Sequence, residues 1–197
     1  SWSTQGHHAN RVIVRPGLQQ VFLSSTLLAT VTGSLVAAPR TEGLFGAFLA
    51  VLMLAIATAD FHRYVIPDEL TAAATALALL RAATVGPEAG WAAMLESAGR
   101  ALAIALPFLA LMAGYRWWRG SEGLGLGDIK LVGVAGAWLG FVTLFAVIEI
   151  AALVALGAYV VNATIRKRSL KATAFLPFGS FLAPAIWLGW LTEAILG

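Results

Sequence analysis

The chain of 197 residues contains no cysteine. This absence excludes disulfide bonds, thiolate metal sites and cysteine nucleophiles. Charged side chains are scarce as well, at 12% of the residues, whereas soluble domains contain about 25%. The mean hydropathy of +0.83 agrees with this scarcity and excludes an ordinary soluble protein. The composition therefore predicts an all-α, polytopic integral membrane protein.

The basic residues give a net charge of +3, but they lie at the ends of apolar segments. Positive charge in such places orients helices in a membrane, so we expect a lipid bilayer as the partner and no nucleic acid. The chain starts with a polar stretch that includes His7 and His8. This pair could bind a metal, but we interpret residues 1–10 as a polar remnant or a processed end. We expect an N-terminal tail over 1–17 and a single transmembrane domain over 18–197.

Apolar segments predict about seven transmembrane helices, because a bilayer core of about 30 Å needs roughly 17–25 apolar residues per helix. The apolar stretch from 129 to 161 would be about 50 Å long as one helix, so we predict a turn at Gly140. The predicted helices cover 21–38, 44–59, 70–85, 98–115, a segment that begins near Leu124, 141–164 and 175–196.

The placement of charge predicts the orientation of these helices. If the N-terminus is cytoplasmic, the loops on the opposite side of the membrane hold one basic residue clearly outside a helix, Arg40. The near side holds Arg11, Arg15, Arg63, Arg116, Arg119, Arg166, Lys167, Arg168 and Lys171. Basic residues concentrate on the cytoplasmic side of membrane proteins. The same topology places two loops, 60–69 and 116–128, at one membrane face.

Each of these two loops carries an aspartate in a distinctive setting. Asp128 ends the run Glu-Gly-Leu-Gly-Leu-Gly-Asp, which begins at Glu122. Asp60 is followed by a short basic stretch and by Ile-Pro-Asp-Glu-Leu-Thr, which ends at Thr71. Glycine lets a backbone approach a side chain closely, and an acid at the edge of hydrocarbon is costly enough to suggest function.

These two motifs, together with Lys130-Leu131 and Pro177-Phe178-Gly179, resemble those of the prepilin peptidases. Members of this family are membrane aspartic proteases of the Gly-x-Gly-Asp type that cut the leader from type IV prepilins and pseudopilins. The resemblance covers the chain from about residue 44 to its end. It implies that Asp60 and Asp128 are catalytic and that no metal or cofactor is needed. It also implies roles in substrate binding or in shaping the site for Glu122, Gly125, Gly127, Lys130, Pro177 and Gly179.

Two carboxylates suit peptide hydrolysis because like charges that share a site cannot both ionise easily. The pair then holds one proton. The ionised member takes a proton from water, and the protonated member hydrogen-bonds the scissile carbonyl. The pair titrates as a unit, so the sequence leaves open which aspartate holds the proton.

The resemblance further implies a multi-pass protein of the bacterial inner membrane with a cytoplasmic active site and prepilin or pseudopilin substrates. Longer members carry a cysteine-bearing loop associated with methylation of the new pilin N-terminus. Because this chain lacks cysteine, we expect a short, peptidase-only form. The chain departs from the family at Ser180, where proline is common. The oligomeric state stays open.

Other interpretations remain. Asp60 could be a helix end paired with Arg63, and Asp128 could favour a helix dipole. Asp68 follows Pro67 and fits an N-cap of the third helix. A transporter could use both acids and Glu149 as an ion path. A non-catalytic assembly factor of a pilus or secretion system could keep the fold. A presenilin-like protease would share Gly-x-Gly-Asp but lack the run over 60–68.

Overall fold

The computed structural model describes residues 16–38, 40–119, 125–167 and 176–196. These residues form helices joined by short connections, and no strand occurs among them. The helices are α1 (Pro16–Ala37), α2 (Thr41–Arg63), α3 (Asp68–Thr84), α4 (Trp91–Arg119), α5 (Leu126–Trp138), α6 (Phe141–Ile165) and α7 (Gly179–Leu196).

The prediction of an all-α membrane protein with seven helices is confirmed. Five helices, α1, α2, α4, α6 and α7, are long and apolar enough to cross a membrane, so the protein is a multi-pass membrane protein. α3 has 17 residues and α5 has 13. At 1.5 Å per residue α5 is about 20 Å long, which is short of the hydrocarbon thickness. α3 and α5, the latter with Asp128, are therefore not among the helices long enough to span, although the sequence predicted about seven spans.

The predicted turn at Gly140 is also confirmed. α5 ends at Trp138 and α6 begins at Phe141. The free N–H of Gly140 donates to Oε1 of Glu193 at 2.9 Å, which ties the turn to α7. The break divides the long apolar stretch into a short helix inside the bundle and a long helix at its surface.

α2, α5 and α7 form the centre of the bundle. α2 packs against α1, α3 and α7, while α5 packs against α3, α4 and α7. Leu49, Met53 and Ile56 lie on one stripe of α2 at helical spacing and are buried. Trp138 of α5 and Trp190 of α7 are buried as well. By contrast, α1, α4 and α6 expose most of their apolar side chains, as lipid-facing helices do.

A polar cluster joins the start of α2 to the end of α3. Oε1 of Glu42 accepts hydrogen bonds from Nε of Arg81 at 2.8 Å and from Nε1 of Trp190 at 2.9 Å. The Arg81 guanidinium also lies 5.6 Å from the ring centroid of Trp138. Such a half-buried, multiply bonded carboxylate fixes the mutual position of α2, α3 and α7.

The connection between α2 and α3 is shorter than the sequence predicted. α2 continues through Asp60 and ends at Arg63, and the C-cap residue Tyr64 has left-handed φ 54° and ψ 32°. The interpretation of Asp68 as an N-cap is wrong, because Pro67 occupies that position and no side chain caps the helix. Asp68 instead accepts a hydrogen bond from Nζ of Lys130 at 2.6 Å. This ion pair links the first turns of α3 and α5.

Candidate active site

Asp60 lies in the last turn of α2 with its side chain directed into the bundle. It is 5% exposed, so its carboxylate needs partners to offset the loss of water. Both donors identified come from Ser180 in the first turn of α7. The backbone N–H of Ser180 lies 2.7 Å from Oδ2 of Asp60, and its hydroxyl Oγ lies 3.1 Å from the same oxygen.

Asp128 lies in the first turn of α5, directly after the glycines of its motif. Gly125 occupies the N-cap position in an extended conformation. Burial, and then the negative charge of Asp60, raise the pKa of Asp128 to about 6, against a hydrogen bond with the backbone of Gly179 that lowers it. A carboxyl with this pKa can hold a proton in a range where ordinary aspartates are ionised.

The two aspartates therefore meet at the first turn of α7. Gly179 hydrogen-bonds Asp128 through its backbone. A Cβ added to Gly179 would lie 3.1 Å from both Cγ and Oδ2 of Asp60. The absence of a side chain at Gly179 thus allows the start of α7 to contact both carboxylates. This is a close approach that only glycine permits.

Ile66 packs between the two glycine-bearing elements. A Cβ on Gly127 would lie 3.0 Å from Cβ of Ile66, and a Cβ on Gly179 would lie 2.6 Å from its Cδ1. Ile66 is buried, so it fills the space that these glycines leave. Ile66 joins the α2–α3 connection to the starts of α5 and α7.

The remaining site residues predicted from the sequence occupy different surroundings. A Cβ on Gly125 would lie 3.2 Å from Oδ2 of Asp128, so Gly125 adjoins the acid directly. Pro177 precedes α7, and its carbonyl accepts a hydrogen bond from the N–H of Ser180 at 3.2 Å. Lys130 is exposed and paired with Asp68. Glu122 lies outside the described residues.

Two residues of the site were not predicted from the sequence. Ile66 stands in the Ile-Pro-Asp run, where its burial within a four-residue connection could have been a signal. Ser180 was noted for departing from the family, and no role was expected of it. Its sequence signal is weak because its partner, Asp60, is far away along the chain.

Exposed apolar side chains lie beside the site, next to the exposed basic residues His62 and Arg63. Phe61, Tyr64 and Val65, at the end of α2, are exposed to at least 60%. Exposed aromatic and apolar side chains at a helix end suit the boundary between hydrocarbon and water. Glu149, in contrast, is exposed on α6.

Comparison with known protein families identifies the family of the chain. The profile of the type IV leader peptidase family matches residues 47–161, which is more than half of the chain and includes both aspartates. The chain belongs to the type IV leader peptidase family. The resemblance inferred from the two aspartate motifs is confirmed. The start of α7, with Gly179 and Ser180, lies beyond the matched residues of this leader peptidase family member.

Similar proteins include leader peptidases of two kinds. The chain is 30% identical over 167 residues to a prepilin leader peptidase/N-methyltransferase of Aeromonas hydrophila, across 84% of the chain and 55% of that protein. It is 45% identical over 85 residues to the leader peptidase HopD of Escherichia coli, across 42% of the chain and 54% of that protein. The chain thus spans about half the length of these relatives. None of the solved structures matches it.

Proposed function

We propose that this chain is an aspartic endopeptidase that removes the short leader from prepilins or pseudopilins. The observation that carries the proposal is the shared contact of Asp60 and Asp128 with the first turn of α7. Two carboxylates brought this close share a site, and like charges in one site favour a single proton between them. That is the arrangement on which metal-free aspartic proteolysis depends.

The surroundings of the two carboxylates support a division of roles. Two donors of Ser180 point at Oδ2 of Asp60, which suits a carboxylate that accepts hydrogen bonds. Asp128, with its pKa raised to about 6 by burial and by the charge of Asp60, suits the proton-bearing member. We therefore propose that the shared proton rests on Asp128 before the reaction, although the pair titrates as a unit.

In the proposed reaction, water lies between the carboxylates. Asp60 takes a proton from the water while its oxygen attacks the scissile carbonyl carbon. Asp128 donates its proton to the carbonyl oxygen, which gives a neutral tetrahedral intermediate. Collapse of this intermediate breaks the C–N bond, and Asp60 passes its proton to the leaving amine. Asp128 then recovers its proton from the intermediate's hydroxyl group, which restores the starting state.

The proposed location is the cytoplasmic face of the inner membrane. Exposed Phe61, Tyr64 and Val65 support a site at the boundary between hydrocarbon and water. There the basic leader of a substrate would remain in water while the apolar helix after the cut stays in the bilayer. The exposed Glu69, with Glu122, would supply negative charge that complements a basic leader.

The two other interpretations have less support. An ion-conducting transporter would need Glu149 to face the two aspartates, but Glu149 is exposed on α6. A non-catalytic assembly factor would have no need to keep two carboxylates and the glycines that fit closely around them. Both interpretations predict that the wild-type protein does not cleave a prepilin.

Cleavage of a prepilin by proteoliposomes tests the proposal directly. Asp60→Asn and Asp128→Asn keep the size of the side chain and remove the titrating carboxyl. We expect each to reduce cleavage by at least about 1,000-fold, because neither carboxyl can replace the other. Asp68→Asn makes the same chemical change at an exposed aspartate paired with Lys130 and should leave cleavage near the wild-type rate. Unchanged cleavage by Asp60→Asn or Asp128→Asn would refute the mechanism.

A further inference from the structure

Ser180 contacts Asp60 through both its backbone and its side chain. Its backbone N–H and its hydroxyl both approach Oδ2, at 2.7 and 3.1 Å. The hydroxyl also lies 3.3 Å from the carbonyl oxygen of Ala57, one turn earlier on α2. It carries a single hydrogen, and Oδ2 of Asp60 is the nearer of the two acceptors.

The two donors converge on one oxygen of the carboxylate. A carboxylate held by a single donor can still rotate about its Cβ–Cγ bond, whereas two donors from a rigid helix start also fix its plane. With Oδ2 held in this way, the second oxygen, Oδ1, remains for contact with water. We infer that Ser180 is the positioning residue of the site, which orients Asp60 so that Oδ1 acts as the base. This inference rests on the proposed peptidase function.

Proline, which is common at this position in the family, could not provide the same contact. Proline has no N–H, and its Cδ would lie about 1.5 Å from the nitrogen. The nitrogen of Ser180 is 2.7 Å from Oδ2, so that oxygen would have to move away. A chain with proline must therefore hold its first aspartate differently. In this chain the orientation depends on serine.

Three substitutions at Ser180 separate the two donors. Ser180→Ala keeps the N–H and removes the hydroxyl, while Ser180→Thr keeps both. Ser180→Pro removes both, and proline is tolerated in the first turn of a helix. We expect kcat to fall by about 10-fold for Ala and by about 100-fold for Pro, because hydrogen bonds to a charged group are strong. Thr should restore kcat to within about 3-fold of wild type by returning the hydroxyl.

Thr192→Ala serves as a matched control on the same helix. The hydroxyl of Thr192 donates to the carbonyl oxygen of Gly189 at 2.7 Å, so its loss also removes a side-chain hydrogen bond, but one made within α7 itself. This variant should keep both kcat and KM. For the Ser180 variants, KM should stay within error of wild type, because a positioning residue affects the reacting geometry.

The outcomes distinguish this inference from the proposed function. If the wild type cleaves a prepilin and Asp60→Asn does not, the peptidase proposal stands whatever the Ser180 variants do. If Ser180→Ala and Ser180→Pro then keep the wild-type kcat, Ser180 is no positioning residue. The inference also fails if Ser180→Thr is as slow as Ser180→Ala, or if the losses appear in KM instead of kcat. If the wild type does not cleave, the proposed function and this inference fail together.

Discussion

The close packing at Gly179 allows a quantitative test of how the site is assembled. A Cβ at this position would lie 2.6 Å from Cδ1 of Ile66 and 3.1 Å from Oδ2 of Asp60. Carbon atoms prefer separations of about 3.5–4.0 Å, so Gly179→Ala forces a shift of roughly 1 Å in Ile66. Ile66 cannot simply rotate away because it is buried against Gly127.

Overpacking of this kind costs about 1–3 kcal/mol. The displacement also acts on Asp60, and misplacing a catalytic group by about 1 Å can cost about 100-fold in rate. We therefore expect Gly179→Ala to lower kcat by about 100-fold while the protein still folds. Ile66→Val removes Cδ1, the atom in closest conflict, at a cost of about 0.5–1.5 kcal/mol in stability. The double variant Gly179→Ala/Ile66→Val should have a kcat about 10-fold higher than that of Gly179→Ala alone.

The assay is a double-mutant cycle on kcat and on the melting temperature, with wild type, both single variants and the double variant. Gly157→Ala is the control, because a Cβ at Gly157 would meet no atom within 4 Å. Purely additive effects of Gly179→Ala and Ile66→Val would refute the reasoning, because the new methyl group would then not clash with Ile66. Full activity of Gly179→Ala would refute it as well.

Two further predictions concern stability. Since burial and the charge of Asp60 raise the pKa of Asp128 from 3.8 to about 6, its contribution to stability is fully present below pH 3.8 and lost as the pH rises through about 6. Asp128→Asn should therefore melt at a higher temperature than wild type at pH 7.5 and at nearly the same temperature as wild type at pH 4. An equal difference in melting temperature at both pH values would contradict this prediction. Glu42→Ala leaves Arg81 and the indole N–H of Trp190 without their shared acceptor and should lower the free energy of unfolding in detergent by about 1–3 kcal/mol. Glu88→Ala, at an exposed glutamate, is its control, and equal losses in both would show that the cluster does not stabilise the bundle.

The sequence predicted the helices well because a bilayer imposes length and apolarity on each spanning segment. It located the turn at Gly140 and the starts of α2 and α6 to within a few residues. Its errors are at ends that tertiary contacts decide. α4 begins at Trp91, seven residues before the predicted start, although its first turns carry polar residues. α7 begins at Gly179, where Ser180 meets Asp60.

The sequence by itself also identified the two aspartates and their glycines, because an acid beside apolar segments is costly and its flanking motif is local. It could not identify Ser180 or Ile66 as parts of the site, since their contacts join residues that are distant along the chain. Nor could it show how the two carboxylates differ, because that depends on contacts made across the bundle. Asp60 accepts from the N–H and the hydroxyl of Ser180, whereas Asp128 has a backbone hydrogen bond with Gly179 and has its pKa raised by burial and by the charge of Asp60. Composition and local motifs determine the membrane fold and the candidate acids, whereas the packing of α2, α5 and α7 decides how those acids differ.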